Sequence, residues 1–183
     1  MGAFLHCTLM KLVRWKRFTW DLTKLPPLEN KLPANFSFRE APREEAKAVI
    51  GMVMTSFTLD SAWSDVLNIA RDRLEMQFDL AFQRESLPAI VICHGTRIIA
   101  ASVISTEIDG ENNLISGPCV LPEYCNRHLG TALLHQSLTH LKKAGLDRAA
   151  AITKENVTAC KFVYPKFGST SAAHDYEPQL IGT

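Results

Sequence analysis

The sequence predicts an α/β domain of α+β type, a mixed, mainly antiparallel sheet flanked by helices on both faces. Three observations predict it. Short apolar runs with alternating or β-branched character recur along the chain, separated by turn dipeptides. Between them lie stretches with apolar residues at three- and four-residue steps, the spacing of one buried helical face. Finally, a run of hairpins followed by a strand–helix–strand unit requires helices on both sides of the sheet.

The elements follow in order. Phe36 to Glu40 alternates as a strand does. Pro42 with Glu44 and Glu45 then suits a helix start, with proline in the first turn and acids near the positive end. Ala46, Val49, Ile50, Val53, Met54 and Phe57 give the face of a first helix. Trp63, Val66, Leu67, Ala70, Leu74, Phe78 and Ala81 give a second, which should end before Pro88. Ala89 to Cys93 is a short apolar strand, His94-Gly95-Thr96 a turn, and Arg97 to Thr106 a strand rich in Ile, Val and Ala. Asp109-Gly110 signals another turn, and Leu114 to Leu121 reads as a further strand. The next helix carries Leu129, Leu133, Leu134, Leu138 and Leu141 and stops at Gly145, a natural C-cap. Ala149 to Thr153 is a buried strand, Asn156 opens a short helix, and the last strand or hairpin lies from Phe167 onward.

Residues 1–35 stand apart from the domain at 36–183. Leu12 to Leu25 mixes Trp15, Phe18 and Trp20 with Arg14, Lys16 and Arg17 and then meets Pro26, Pro27 and Pro33. The alternation is imperfect, so the stretch reads as an extended arm with at most a short strand. Such an arm either caps a groove or a dimer contact, or packs on its own domain.

Bulk properties narrow the classes. The chain has 183 residues, enough for one domain, with 46% apolar and 21% charged residues, which excludes disorder. The net charge of +1 gives no basic excess for nucleic acid. Five cysteines, an odd number without CxxC spacing, argue against a disulfide framework or a zinc knuckle and for a reducing compartment. Met1 to Val13 lacks the basic start and cleavage site of a signal peptide, and His6 replaces the Ser or Thr of a myristoylation signal. No apolar run approaches the ~20 residues of a membrane span. The expected location is the cytoplasm, with no membrane or nucleic-acid partner and no metal.

Two stretches carry a family resemblance. Val120-Leu121-Pro122-Glu123-Tyr124-Cys125-Asn126-Arg127-His128-Leu129-Gly130-Thr131-Ala132 resembles the coenzyme A loop of GNAT (GCN5-related) N-acetyltransferases. In that loop a strand ends in Val-x-Pro and Gln/Arg-x-x-Gly-x-Gly/Ala opens a helix. Anchored on Val120 and Pro122, Cys125 stands at the Gln/Arg position, His128 at the first glycine, and Gly130 is kept. The physical basis is anion binding: unpaired N–H groups at a helix N-terminus face a pyrophosphate. Asn156-Val157-Thr158-Ala159-Cys160-Lys161-Phe162-Val163-Tyr164-Pro165-Lys166-Phe167-Gly168 resembles the family's Asn-x-x-Ala-x-x-hydrophobic-Tyr-x-Lys-x-Gly segment, with one extra residue between Ala159 and Tyr164.

The resemblance implies acetyl-CoA as acyl donor, held by Pro118, Cys119, Val120, Asn126, Arg127, His128, Leu129, Gly130, Thr131, Asn156 and Tyr164. It implies direct attack by a primary amine of a small molecule or peptide, with a homodimer common. Asn156 sits near the pantetheine and Tyr164 near the departing sulfur, as the general acid. The carbonyl oxygen takes a backbone N–H from Cys119 to Leu121; Pro118 has none to give. Lys166 or Lys161 would ease proton donation by Tyr164, and the first two helices form the acceptor pocket near Phe57 to Trp63, where Asp60 and Asp65 would attract a cationic amine or cap a helix. Glu107 is the candidate general base, ahead of Asp109, Glu111 and Glu123. Two rivals remain, an acyl-CoA-binding sensor with this fold and an enzyme acting through Cys119 or Cys125.

Overall fold

The structure, a computed structural model, describes residues 13–29, 32–83 and 88–175. Eleven elements follow one another: β1 (Trp15–Asp21), β2 (Phe36–Glu40), α1 (Ala46–Leu59), α2 (Leu67–Gln83), β3 (Ala89–His94), β4 (Arg97–Val103), β5 (Cys119–Val120), α3 (Leu129–Lys143), β6 (Arg148–Lys154), α4 (Thr158–Phe162) and β7 (Thr170–His174). Met1 to Leu12 and the segment before Pro88 lie outside the described residues, as does the side chain of Ala81.

All ladders are antiparallel. One sheet runs β2–β3–β4–β5 and the other β6–β1–β7. Apolar residues at successive positions of β3 fill both faces of the first sheet, because alternate side chains point to opposite sides. Ile90 and Ile92 join the core under α3, with Leu129, Leu133, Leu134, Leu138 and Leu141. Val91 and Cys93 join the core under α1 and α2, with Val49, Met52, Val53, Phe57, Leu74 and Phe78. The helices on both faces expected from the sequence are thus in place. Helix α3 ends as its composition requires: Gly145 takes φ +95°, and the Leu146 N–H reaches back to the Leu141 carbonyl.

Two expectations are corrected. First, the Trp15–Asp21 stretch is not an arm apart from the domain. Trp15–Asp21 forms the middle strand of the second sheet, paired with β6 on one side and β7 on the other. Phe18 and Trp20 point into the core, Trp20 fully buried, and the Trp20 Nε1–H donates to the Lys166 carbonyl. Lys16 on the face of Phe18 and Trp20, and Trp15 on the face of Arg17, blur the alternation of this strand, which is why the sequence reads as irregular.

Second, Leu114 to Leu121 is not one strand. Only Cys119–Val120 pairs with β4. Asn113 and Leu114 instead give their N–H groups to the Ala150 carbonyl of β6. The Asn113 side chain completes that link, accepting from the Ala150 N–H and donating to the carbonyls of Ser105 and Glu107. Between the two anchor points the chain crosses from one sheet to the other. Gly117 at φ +65° and Pro118, which has no N–H, prevent a continuous ladder there. The Ser116 hydroxyl stands in, accepting the Val103 N–H. β5 and β6 do not pair with each other beyond the crossing, and a fork opens between them.

Among the described residues no helix is long and apolar enough to cross a membrane. If β1 is the core of its sheet, Trp20→Ala should cost about 3–5 kcal/mol in urea unfolding. Removal of residues 1–21 should leave a chain without a cooperative transition.

Candidate active site

The fork is lined from four directions. Ile115, Ser116 and Gly117 come from the crossing segment, and Ile152 and Thr153 from β6. Phe57 of α1, Trp63 of the turn between α1 and α2, and Trp15 of β1 make an aromatic wall. The Phe57–Trp63 and Trp15–Trp63 ring centroids are 4.6 and 6.2 Å apart. Arg73 and Gln77, one turn apart on α2, face the same space, as does Asn112. The cavity is open to solvent with a volume of about 70 Å³, and Tyr164 forms part of its wall.

Tyr164 is placed by β1 and by Gly117. Its ring stacks on Phe18 at 5.3 Å and lies 5.8 Å from Trp20. A Cβ added to Gly117 would sit 2.2 Å from the Tyr164 hydroxyl, so only glycine lets that oxygen reach the fork. The extra residue before Tyr164 is absorbed at the end of α4, where the N–H groups of both Val163 and Tyr164 bond the Ala159 carbonyl. Burial, with smaller contributions from Cys119 and Cys160, pushes the phenol well above its usual range. No lysine contributes to that shift, and neither Lys161 nor Lys166 lines the cavity. The cation sharing the cavity with Tyr164 is Arg73.

On the loop side of the fork, the Leu121 N–H bonds the Ile99 carbonyl of β4. In an antiparallel ladder Val120 then turns its own N–H away from β4, toward the gap. This selects Val120 from the three residues named as donors. Pro118 is half-buried ahead of it, and the buried Cys119 side chain enters the core under α1 and α2. Burial pushes the Cys119 thiol up to about 11, so it stays protonated and apart from the cavity. Burial also raises Cys125, whose Sγ points at the Leu121 carbonyl.

Asn126, Arg127 and His128 are exposed between β5 and α3. Asn126 and His128 both take left-handed φ, 61° and 60°. The missing glycine at 128 therefore leaves the backbone shape intact, at a cost of about 1 kcal/mol for a residue with a Cβ. The first intrahelical bond of α3 runs from the Ala132 N–H to the His128 carbonyl. The N–H groups of Leu129, Gly130 and Thr131 are left without helical partners, at the positive end of a 15-residue helix. Gly130 faces Val120 and Val163, which seats that helix end beside the fork. Arg127 lies over the Tyr124 ring and donates to the Glu123 carbonyl. These groups fit a pyrophosphate.

Other predicted residues lie elsewhere. Glu107 is exposed in the 107–110 turn and does not line the cavity. Asn156 is exposed in the turn after β6. Asp60 caps the turn before α2 by accepting the Ala62 N–H. Asp65 pairs with the buried Lys154, whose Nζ also donates to the Ala62 carbonyl at 2.6 Å. Sequence reasoning missed Lys154, Arg73 and Gly117. For Lys154, a lysine closing an otherwise apolar strand was the available signal.

The sequence model of the acetyltransferase (GNAT) family matches residues 12–168. No curated protein matches the chain. Among solved structures, an acetyltransferase from the GNAT family of Colwellia psychrerythraea is 17% identical with a TM-score of 0.61, covering 88% of this chain and 54% of the other. A Drosophila protein is 15% identical with a TM-score of 0.59, covering 88% and 50%. A GCN5-related N-acetyltransferase from Sphaerobacter thermophilus is 15% identical with a TM-score of 0.56, covering 89% and 50%. At these identities the likeness is one of fold, and the chain spans about half the length of each.

Two substitutions test the geometry. Gly117→Ala should destabilise by about 1–3 kcal/mol through the clash and the positive φ. His128→Gly should stabilise by about 1 kcal/mol by relieving the left-handed residue. Both are read from urea midpoints at constant slope.

Proposed function

This chain belongs to the GNAT acetyltransferase family, and on that premise we propose that it acetylates a primary amine of a small molecule or peptide, by direct attack on acetyl-CoA. The observation that carries the reading is the proximity of three features: the Tyr164 hydroxyl against Gly117 in the cavity wall, the outward Val120 N–H, and the open N-terminus of α3, where Gly130 faces Val120 and Val163. Acetyl-CoA supplies the thioester carbon. The N–H groups of Leu129, Gly130 and Thr131, with Arg127 and His128, would hold its pyrophosphate, and Asn126 shapes the loop.

The amine must be neutral to attack, which for a lysine-like pKa near 10.4 costs about 4–5 kcal/mol at pH 7. A C–N bond forms and a C–S bond breaks. The Val120 N–H stabilises negative charge on the carbonyl oxygen, an effect of about 3–4 kcal/mol for such donors. The amine nitrogen loses a proton and the sulfur gains one. A tyrosine near its ordinary pKa would protonate a thiolate uphill by about 2 kcal/mol, and burial makes Tyr164 a weaker acid still. Its role is therefore to donate a hydrogen bond to the departing sulfur as charge develops, with water completing the transfer.

Among the described residues lining the cavity there is neither carboxylate nor imidazole. Water, rather than Glu107, is the base in this reading. The same feature favours the alternative, an acyl-CoA-binding protein without turnover, and a turnover assay separates the two. The cysteine mechanism loses its support because Cys119 is a buried thiol raised to about 11; Cys119→Ala should keep turnover within about threefold.

Tyr164→Phe should lower kcat about 10²- to 10³-fold on a panel of amines, with the KM for acetyl-CoA little changed. Full turnover in that variant would remove Tyr164 from the chemistry. With water as base, kcat/KM should rise about tenfold per pH unit up to the pKa of the acceptor amine. A plateau beginning near pH 6–7 would instead reveal a dedicated base.

A further inference from the structure

The surface that the cavity offers to a ligand is mostly apolar. Trp15, Trp63 and Phe57 stand along one side with Leu74 of α2 beside them, and Ile115 and Ile152 face the same space. Trp15, Trp63, Ile115 and Ile152 are half-buried, so part of each side chain still meets water. Covering such surface with another apolar group is favourable.

The polar groups nearby are committed. The Ser116 hydroxyl accepts the Val103 N–H and donates to the Gly117 carbonyl. The Asn112 side-chain oxygen accepts the Ile152 N–H. Arg73 already has a neighbouring counter-charge in Glu111. Asp60 is engaged in its cap and Asp65 with Lys154. Among the described residues no carboxylate lines the cavity. A second ammonium group would therefore leave water beside a like charge, with no acid on the lining to receive it.

The aromatic wall is held from behind. Lys154 lies opposite Trp15 in the β1–β6 ladder, and its buried Nζ binds the Ala62 carbonyl and Asp65, on either side of Trp63 in the chain. Trp63 is thus fixed beside Trp15 before any ligand arrives, which cuts the cost of ordering on binding. An apolar, partly desolvated surface also disfavours an ammonium ion and so favours the neutral amine that attack requires.

We infer that the acceptor is a monoamine on an apolar body, an alkyl or arylalkyl amine, and that this body lies on the wall of Trp15, Trp63 and Phe57. The inference rests on the acetyltransfer reading above and names its acceptor class. Trp63 is thus a specificity-determining residue.

The test uses the full chain and two readouts. N-acetyl-n-alkylamines from ethyl to hexyl serve as product probes in calorimetry, because none has a titrating amine and none requires turnover. Each added methylene should tighten binding about fourfold until the chain clears the wall. N-acetylpentylamine should bind about tenfold more tightly than N-acetylputrescine, which places an ammonium where the other has its last methyl group. Trp63→Ala should flatten the series and Trp63→Phe should keep part of its slope, each in a chain that still unfolds cooperatively in urea. In the second readout, transfer from acetyl-CoA to pentylamine and to putrescine is followed by thiol release. A preference for pentylamine that weakens in the Trp63 variants supports the inference.

Affinity independent of chain length, binding of no probe, or a slope unchanged in the folded Trp63 variants would overturn it. Preferred transfer to putrescine overturns the inference while leaving acetyltransfer standing. Chain-length-dependent product binding without transfer to any amine supports the apolar site and contradicts turnover.

Discussion

The structure depends on one chain crossing. Between Leu114, hydrogen-bonded to β6, and Cys119, paired with β4, the backbone passes from one sheet to the other. It does so through Ser116, a positive-φ glycine and a proline. The crossing ties the two sheets together and at the same time prevents β5 and β6 from zipping into a single ladder. Everything proposed for the site occupies the space thus kept open. Pairing along the whole of the 114–121 segment would close the fork and bury the Val120 N–H in a strand bond.

The crossing also explains why an N-terminal strand bears on chemistry at the far end of the chain. Tyr164 reaches the fork only because Gly117 has no side chain, and its ring keeps its direction because Phe18 stacks on it and Trp20 packs against it at a tilt. β1 is thus both the centre of a sheet and the bed of the candidate tyrosine. On the opposite side the buried Lys154 fixes the turn carrying Trp63 and Asp65 against the end of β6. The aromatic wall of the cavity is therefore anchored to the same strand that borders the fork.

Much of this was legible in the sequence. Long amphipathic stretches such as Leu129 to Leu141, and the two-faced run Ala89 to Cys93, report burial directly, so helices, most strands and their order follow. The loop motif located the Val120–Thr131 region, and the structure shows that His128 adopts the backbone conformation a glycine would. What was hidden depends on long-range partners. Trp15–Asp21 becomes a central strand only because β6 and β7 arrive on either side. The break at Gly117 is set by what Asn113 and Ser116 bond in other strands. Glu107 lies near the strand ends in sequence, but it is exposed in the 107–110 turn and does not line the cavity. Arg73 carries no sequence signal of its own, since its direction is fixed by how α2 packs on α1.

In the proposed function, the fork and the N-terminus of α3 form one acyl-donor site. Calorimetric titration of the full chain with acetyl-CoA, beside S-acetyl-pantetheine, tests it most directly. Micromolar binding of acetyl-CoA, at least tenfold tighter than the fragment without the pyrophosphate, is the expected result. No heat with acetyl-CoA, or equal affinity for the two, would contradict the account.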